Sequence, residues 1–430
     1  MQTRSDQYDL IIVGGGLVGA SLACALADTP LRIAVVELQS FNESDHASYD
    51  DRSIALSYGS RLLFESLNLW HSIAPHAEAI SQIHITQKNS FGSTRLSADR
   101  EHVPALGYVI ENRLLGKVLQ QGISKAVNIT LICPAELESV TQTRGEASSC
   151  NQVSVGIKTA QAKKELQGRL LIAADGGRSR VRDLLDIKVS RKSYQQTAII
   201  CNLTPQFPHQ GVAFERFTET GPLAFLPLPD YRSTLPQADP FIGSQKNLPR
   251  CSVVWTVEND QVDEIMALED EPFLHALQSS FGYRLGKLRH TGKRSAYPLF
   301  LIRARQSVVD SCVLIGNAMH TLHPVAGQGF NLGMRDVAAL ASFLFAAIET
   351  GQDIADPALL AEYEKDRARD YQRMIAFTDN LVSWFSLQFK PARCLRSSGL
   401  VMTDRIPWLK SMIARRAMGL GQARPGRRQL

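Results

Sequence analysis

The sequence predicts an α/β protein in which parallel-sheet segments are separated by a mostly antiparallel sheet and closed by helices. Three observations predict it. Short apolar runs at 10–13, 170–174 and 311–315 each lead into a glycine turn. Between residues 186 and 299 the chain is strand-like, at 197–203, 211–217, 222–227, 251–257 and 286–297. From Asp336 onward the apolar spacing turns helical, with few strand signals.

Composition sets the outer limits. A chain of 430 residues exceeds one ordinary core, so two or three structural units are expected. With 44% hydrophobic and 21% charged residues it reads as a soluble globular protein. The net charge of +5 is modest, and no nucleic-acid partner is expected. Seven cysteines, an odd number with no Cys-x-x-Cys pair, argue against a disulfide framework and fit a reducing compartment. The first apolar run leads into glycines, not a cleavage site, and no stretch of about 18 uninterrupted apolar residues exists. A cytoplasmic location is expected.

The first run, 8–13, is nearly all apolar, as in a parallel strand buried on both faces. Gly14, Gly16 and Gly19 follow, then a helical segment to about Ala27 and a second apolar run, 33–36, ending in Glu37. Gly14 permits the tight turn, Gly16 lets a pyrophosphate approach the backbone, and Gly19 lets helix and strand pack closely. Free N–H groups at the helix start face the phosphates. Glu37 can accept from an adenosine ribose and repels a 2′-phosphate, so the nucleotide is FAD or NAD, not NADP. The second turn is Asp175-Gly176-Gly177, and the third is Gly316-Asn317 followed by 320–336 (HTLHPVAGQGFNLGMRD). A simple NAD dehydrogenase needs neither.

That order of motifs resembles the single-component flavoprotein aromatic hydroxylases typified by para-hydroxybenzoate hydroxylase. Segments 52–59 (RSIALSYG), 213–228 (AFERFTETGPLAFLPL), 281–299 (FGYRLGKLRHTGKRSAYPL) and 321–336 are most similar to the ubiquinone-biosynthesis branch, nearest its 2-polyprenyl-6-methoxyphenol hydroxylases. The resemblance implies a Rossmann-type FAD-binding domain (1–75, 105–185, 300–345) interleaved with an antiparallel β-sheet substrate domain (76–104, 186–299), then a C-terminal helical region with a basic tail (346–430). It implies that Gly14, Gly16, Gly19 and Glu37 hold the ADP half of FAD, and that Arg52 lies near pyrophosphate and flavin. Arg113 would sit beside the ribityl chain, with Asp175 and Gly176 tied to FAD and NAD(P)H use. At Gly316-Asn317 the general motif has aspartate; asparagine still accepts from a ribityl hydroxyl, without the charge.

The loop formed by Pro324, Gly327, Gln328, Gly329, Phe330 and Asn331 precedes an apolar helix reading to about Ile348. Its helix N-terminus, placed against the N1/C2-carbonyl edge of the isoalloxazine, would stabilise the reduced anion. The implied chemistry is NAD(P)H reduction of FAD, reaction with O₂ to a C4a-hydroperoxide, and hydroxylation of an electron-rich phenol shielded from water. No residue is assigned as catalytic acid or base. His320 and His323 are two ligands without a third, so no metal is expected. Segment 222–228 either lines the ring and tail pocket or is plain core strand. Tyr297 has no assigned role.

In the C-terminal region Leu381, Trp384, Phe385 and Leu387 fall on one broad helical face. After Asp404 there is no acid, while Arg405, Lys410, Arg415, Arg416, Arg424, Arg427 and Arg428 gather beside Trp408, Leu409 and Met412. Apolar and basic together suit an interfacial or partner-binding helix; a solvated tail is the other reading. A polyprenyl phenol substrate, peripheral contact with the inner membrane surface, and other ubiquinone-biosynthesis proteins are the expected partners. The rivals are a sibling hydroxylase of another ring position, a flavin reductase and a non-catalytic flavoprotein subunit.

Overall fold

The computed structural model describes residues 6–40, 52–143, 152–232, 247–323, 327–386 and 390–420, with side chains omitted at 231–232, 247, 377–386 and 390–397. Pro324, Leu387, Arg424, Arg427 and Arg428 lie outside the described residues, as do the side chains of Leu381, Trp384 and Phe385.

The N-terminal sheet runs in the order Val308–Val309, Cys312–Leu314, Leu170–Ala173, Leu10–Val13, Ile33–Val36, Ile129–Ile132. All its pairs are parallel except the edge hairpin of the first two strands. Leu10 and Ile12 point into a core shared with helices Leu17–Ala25, Asn112–Lys125 and Gln328–Thr350. Ile11 and Val13 point the other way, into a core shared with the antiparallel meander Ala135–Thr143, Gln152–Thr159, Lys163–Gly168. Both faces are covered, which is why the strand shows no polar alternation. Each fully buried aliphatic side chain here contributes roughly 1.5–3 kcal/mol.

The larger sheet runs His320–Thr321, Ser295–Ala304, Val189–Pro205, Asn247–Glu258, Pro222–Arg232, Val212–Phe217, Gln82–Gln87, Ser93–Ser97, with Leu288–Thr291 also paired to Val189–Pro205. Every pair is antiparallel except Val212–Phe217 with Gln82–Gln87. The fold is therefore the α/β class expected, with a parallel nucleotide-type sheet beside a mostly antiparallel one. Two details differ from the sequence reading. Segment 286–297 is two strands that both pair with Val189–Pro205, Thr291 opposite Leu203 and Ser295 opposite Ile200, with the ladder broken at 292–294, and Ser295–Ala304 continues across the 299/300 boundary. Hydropathy alone does not report a break in a ladder.

A third sheet, Ser53–Ser57, Gly107–Glu111, Ala77–Ile80, links the two. Helix Gln328–Thr350 has the length and hydropathy of a membrane span, yet most of it is buried inside the fold. It stops at Gly351, whose φ of +69° supplies the left-handed C-terminal cap. Helices Pro357–Ser386, Lys390–Arg405 and Pro407–Ala417 follow. The last two lie against the sheet edge: Thr94 Oγ1 donates to Leu400 O at 2.7 Å, and Arg95 N to Asp404 Oδ1 at 3.1 Å. Lys410 leaves the expected basic surface, being 5% exposed and bonded through Nζ to Asp404 Oδ1 at 2.6 Å.

Candidate functional site

Three glycine turns meet at one place. Gly14 has φ +103°, and a Cβ there would lie 2.4 Å from Ala174 O and 2.7 Å from Asp175 N. The first turn therefore abuts the second, as the parallel pairing of Val13 with Ala173 requires. A Cβ on Gly19 would lie 2.0 Å from Gly14 O, so helix and turn touch backbone to backbone. Gly316, with φ +58°, would bring a Cβ within 3.1 Å of Val18 Cγ1, which sets the third turn against the first helix. Arg182 fastens the second turn to the third, donating from Nη2 to Gly177 O at 2.6 Å and from Nη1 to Ala318 O at 2.8 Å.

The helix starting after Gly16 has no side-chain cap and no acid in its first turn. Its amides are thus left for an anion. Glu37, 9% exposed, accepts from Gly15 N at 2.6 Å and Gln39 N at 2.9 Å, holding the loop from the end of the second strand. A groove between this helix and Asn112–Lys125 is lined by Gly15, Gly16, Leu17, Gly116 and Gln120. Arg113, at the head of that second helix, is half-exposed and lies 3.4 Å from Glu111.

Asp175 is half-buried, and desolvation pushes its carboxyl above the usual range, against lowering bonds from Ser179 and the Val181 amide. Its Oδ1 has no partner. A Cβ at Gly176 or Gly329 would meet nothing within 4 Å, so both glycines border open space. Asn317 is exposed in the third turn.

The late loop is held from behind. Asn331 Oδ1 accepts from Ser57 N and Ser60 Oγ, each at 2.8 Å, and Nδ2 donates to Ala55 O and Gly327 O, also at 2.8 Å. Its amide is saturated by protein, so the Asn331 side chain clamps the loop from behind. Phe330 packs on the core beneath, and Gln328 is buried with Nε2 3.4 Å from Ala417 O. What the loop offers is backbone: Gly327 at φ +61° and the uncapped start of helix Gln328–Thr350.

Deeper still is a hub that the sequence reading missed. Asp336 Oδ2 accepts from Gly316 N and pairs with His320 Nε2, both at 3.0 Å. Its Oδ1 accepts from Arg367 Nε at 2.9 Å and Tyr371 OH at 2.8 Å. Arg367 also pairs with Asp370 at 2.7 Å, and Arg335 with Asp370 at 2.8 Å. Burial alone would raise the Asp336 carboxyl; Arg367 and His320 outweigh it and hold it below the usual range. The available signal was an acid inside an apolar helix. His323 lies against Tyr194 (centroids 5.0 Å) and 3.3 Å from Gln196 Oε1.

The larger sheet turns one face to this assembly. Phe214, Phe225, Val253 and Cys201, paired in a row, are buried beneath helix Asp270–Phe281. Their neighbours in the next row, Glu215, Ala224, Val254 and Ile200, point oppositely, with Ile85 beside Glu215. All five are only half-buried. On the same side Ala213 and Leu226 join a cluster with Ala55, whose Cβ is 3.2 Å from a Cβ built on Gly327. Tyr297 is also there, with the Arg52 guanidinium 4.8 Å over its ring. A mostly apolar cleft thus separates sheet and glycine turns. Segment 222–228 serves both readings, Leu223 and Phe225 in the core and Ala224 and Leu226 on the cleft.

A family model described as an FAD-binding domain matches residues 7–378. The chain belongs to this FAD-binding flavoprotein family. The flavoprotein is 35% identical over 411 residues to the ubiquinone hydroxylase UbiL of Rhodospirillum rubrum, covering 96% of this chain and 89% of the relative. It is 27% identical over 459 residues to the human mitochondrial ubiquinone biosynthesis monooxygenase COQ6, covering 94% and 91%. Among solved structures, p-nitrophenol 4-monooxygenase PnpA from Pseudomonas putida DLL-E4 shares the fold, with a TM-score of 0.77 at 17% identity over 97% of this chain and all of that one. This flavoprotein is an FAD-dependent aromatic monooxygenase of the ubiquinone-hydroxylase branch. Its residues fit the cofactor: uncapped helix amides for the pyrophosphate, open space over Gly176 and Gly329, and an unpartnered buried oxygen on Asp175.

Proposed function

We propose that this flavoprotein hydroxylates the aromatic ring of a polyprenyl methoxyphenol in ubiquinone biosynthesis, with NAD(P)H as electron donor and O₂ as oxygen source. The observation that carries the reading is the half-buried apolar strip facing the glycine turns, together with relatives named as a ubiquinone hydroxylase and a ubiquinone biosynthesis monooxygenase. Bound FAD supplies the redox chemistry, accepting two electrons and activating O₂. The chain's part is to bind, orient and keep dry. The amides after Gly16 would hold the pyrophosphate and Glu37 the ribose, while Asp175 Oδ1 and Asn317 would accept from ribityl hydroxyls. Arg52 would serve the flavin end, Arg113 the ribityl chain, and the helix start at Gln328 the carbonyl edge. Ile85, Ala224, Val254, Ile200 and Leu226 seat ring and proximal tail, excluding water that would waste the oxidant.

Purified holoenzyme given substrate, NAD(P)H and ¹⁸O₂ is expected to place one ¹⁸O in a new ring hydroxyl. Product without ¹⁸O would indicate a reductase, and product structure separates this ring position from a sibling's. A Gly16→Val variant that lost FAD yet still rescued quinone synthesis would indicate a scaffold.

The partner reading rests on the last helix. Ala414 and Met418 bury its inner face on the cleft-side cluster. Outward it shows Trp408 at 69% and Met412 at 47% exposure, with Arg415 and Arg416 exposed one turn on and Arg405 just before it. Spaced i, i+4, i+7 and i+8, they form one apolar and cationic stripe suited to an anionic bilayer, where the substrate's tail resides. Flotation with anionic vesicles is expected, and to fall several-fold in Trp408→Ala/Met412→Ala; equal flotation of that variant would remove the helix from membrane contact.

A further inference from the structure

Glu215 sits in the middle of the cleft-facing row, between Ile85 on one strand and Ala224 on the other. Its next neighbours on that face are Ala213, Phe217, Leu226 and Val254, all apolar, with Gln87 the polar residue beyond Ile85. Among the described residues no hydrogen bond or ion pair engages its carboxylate. The side chain is half-buried, so a ligand or water can reach it, yet its surroundings are apolar enough that burial pushes the carboxyl from 4.5 up to about 7. An acid that only stabilised the fold would have a partner, as Asp336 does; Glu215 has apolar walls and an open side.

We propose that Glu215 is the catalytic base of this cleft, accepting the phenol proton as the ring is oxygenated, and that its charge excludes carboxylated rings. The inference rests on the hydroxylase reading above. The phenol O–H donates to the ionised Glu215 carboxylate. As the new ring C–O bond forms, the O–H bond breaks, its electron pair moves into the ring, and the proton ends on Glu215. The transferred oxygen comes from O₂, whose second atom leaves as water, with two electrons from the nicotinamide donor through FAD. Loss of the displaced ring proton restores aromaticity, and Glu215 returns its proton to solvent. A base that titrates near neutrality serves this step best, being ionised in the cell yet able to hold a proton.

The flanking strands Gln82–Gln87 and Pro222–Arg232 present Ile85, Ala224 and Leu226 to Glu215 on this side. Across the sheet the face carries Tyr297 with Arg52 stacked on it, and towards the other end Arg250 paired with Glu111. Glu111 also takes Arg113, so that end is cationic. Arg52 is the cation on the Tyr297 side, and Glu78, on the third sheet, is the other half-buried acid whose carboxyl burial raises.

The test uses the FAD-loaded full chain with 2-methoxyphenol bearing one short isoprenoid tail, and the same ring carrying a carboxyl group. Wild-type kcat/KM for the phenol is expected to rise with pH and level off above about 7. Glu215→Gln should lose that limb and be about 100-fold slower at pH 8, with Glu215→Asp recovering part of the rate. Flavin absorbance titrations should show the carboxylated ring binding wild type more weakly as pH passes from 6 to 8, and Glu215→Gln binding it at least about tenfold more tightly than wild type at pH 8, since a loss of about 1.4 kcal/mol of repulsion is tenfold. A Glu215→Gln enzyme within threefold of wild type and with the same pH limb overturns the proposal. Should that variant fail to fold, pH-independent binding of the carboxylated ring by wild type overturns it instead. Absence of ¹⁸O in the wild-type product would defeat the hydroxylase reading, whereas the binding titrations still judge Glu215.

Discussion

Asp336, behind the loop at Gly327, and Glu215, on the floor of the cleft, are both acids taken at least partly out of water, and the fold treats them oppositely. Asp336 is fully buried and receives Gly316 N, His320, Arg367 and Tyr371, so its charge is kept below the ordinary carboxylate range. Glu215 receives nothing and is pushed to about 7. A buried charge that is merely structural must be paired, because desolvation costs several kcal/mol per ion. One left unpaired and reachable from a cleft is strain held for a ligand. The difference separates the groups that hold the glycine turns in place from those that meet the substrate.

The largest expected effect comes from breaking the paired acid. Asp336→Asn removes the charge facing Arg367 and should cost about 3–5 kcal/mol in urea unfolding, with loss of bound flavin, because Gly316 N and His320 lose their anchor. The sign with pH follows. A carboxyl depressed in the folded state stabilises above the ordinary carboxylate value and loses that contribution as pH falls through its lowered one. Wild type should therefore lose stability on acidification in a step that Asp336→Asn lacks. Equal acid profiles would mean that the hub's charge is dispensable and the contrast with Glu215 is false.

How legible this was in the sequence depends on where each group's partner lies. The turns at Gly14, Gly176 and Gly316 could be read because their constraint is local: a tight backbone needs glycine wherever it is. The parallel strands could be read because burial on both faces leaves an apolar run. Asp336 could not be assigned, since Arg367 and Tyr371 are 31 and 35 residues away and only tertiary packing joins them. The clamp made by the Asn331 side chain is not legible for the same reason, its partners Ala55, Ser57 and Ser60 lying more than 270 residues earlier. In the sequence Glu215 is one of two adjacent charged residues in a strand; what singles it out is a row of four neighbours on other strands.

Asp175 is an intermediate case and sharpens the comparison. One oxygen is satisfied by the Val181 amide and the other is an orphan, so it is half structural and half available. Asp175→Ala should weaken FAD binding by about 10- to 100-fold, the worth of a hydrogen bond to a charged group, about 1.5–3 kcal/mol. Asp175→Asn keeps an acceptor and should lose less. Fluorescence titration of apoprotein with FAD measures both, and identical affinities for wild type and Asp175→Ala would place the cofactor away from Oδ1.

The smallest effect should be on the stability contribution of Glu215, and it has the opposite sign to that of Asp336. A carboxyl whose folded value is raised binds its proton more tightly in the folded state than unfolded, so stability falls as pH climbs from about 4.5 towards 7. Glu215→Gln removes the ionising group without changing its size. Relative to wild type it should therefore gain stability between pH 5 and pH 8, by about 1 kcal/mol once water reaching the half-buried group is allowed for. Thermal unfolding of the FAD-loaded pair at the two pH values measures the gap. A variant less stable than wild type at pH 8 would reveal a partner for Glu215 and make it a second Asp336. A gap that opens with pH, alongside slower hydroxylation, is what an acid kept unpaired for catalysis requires, because the group then destabilises the fold in the same protonation state in which it works.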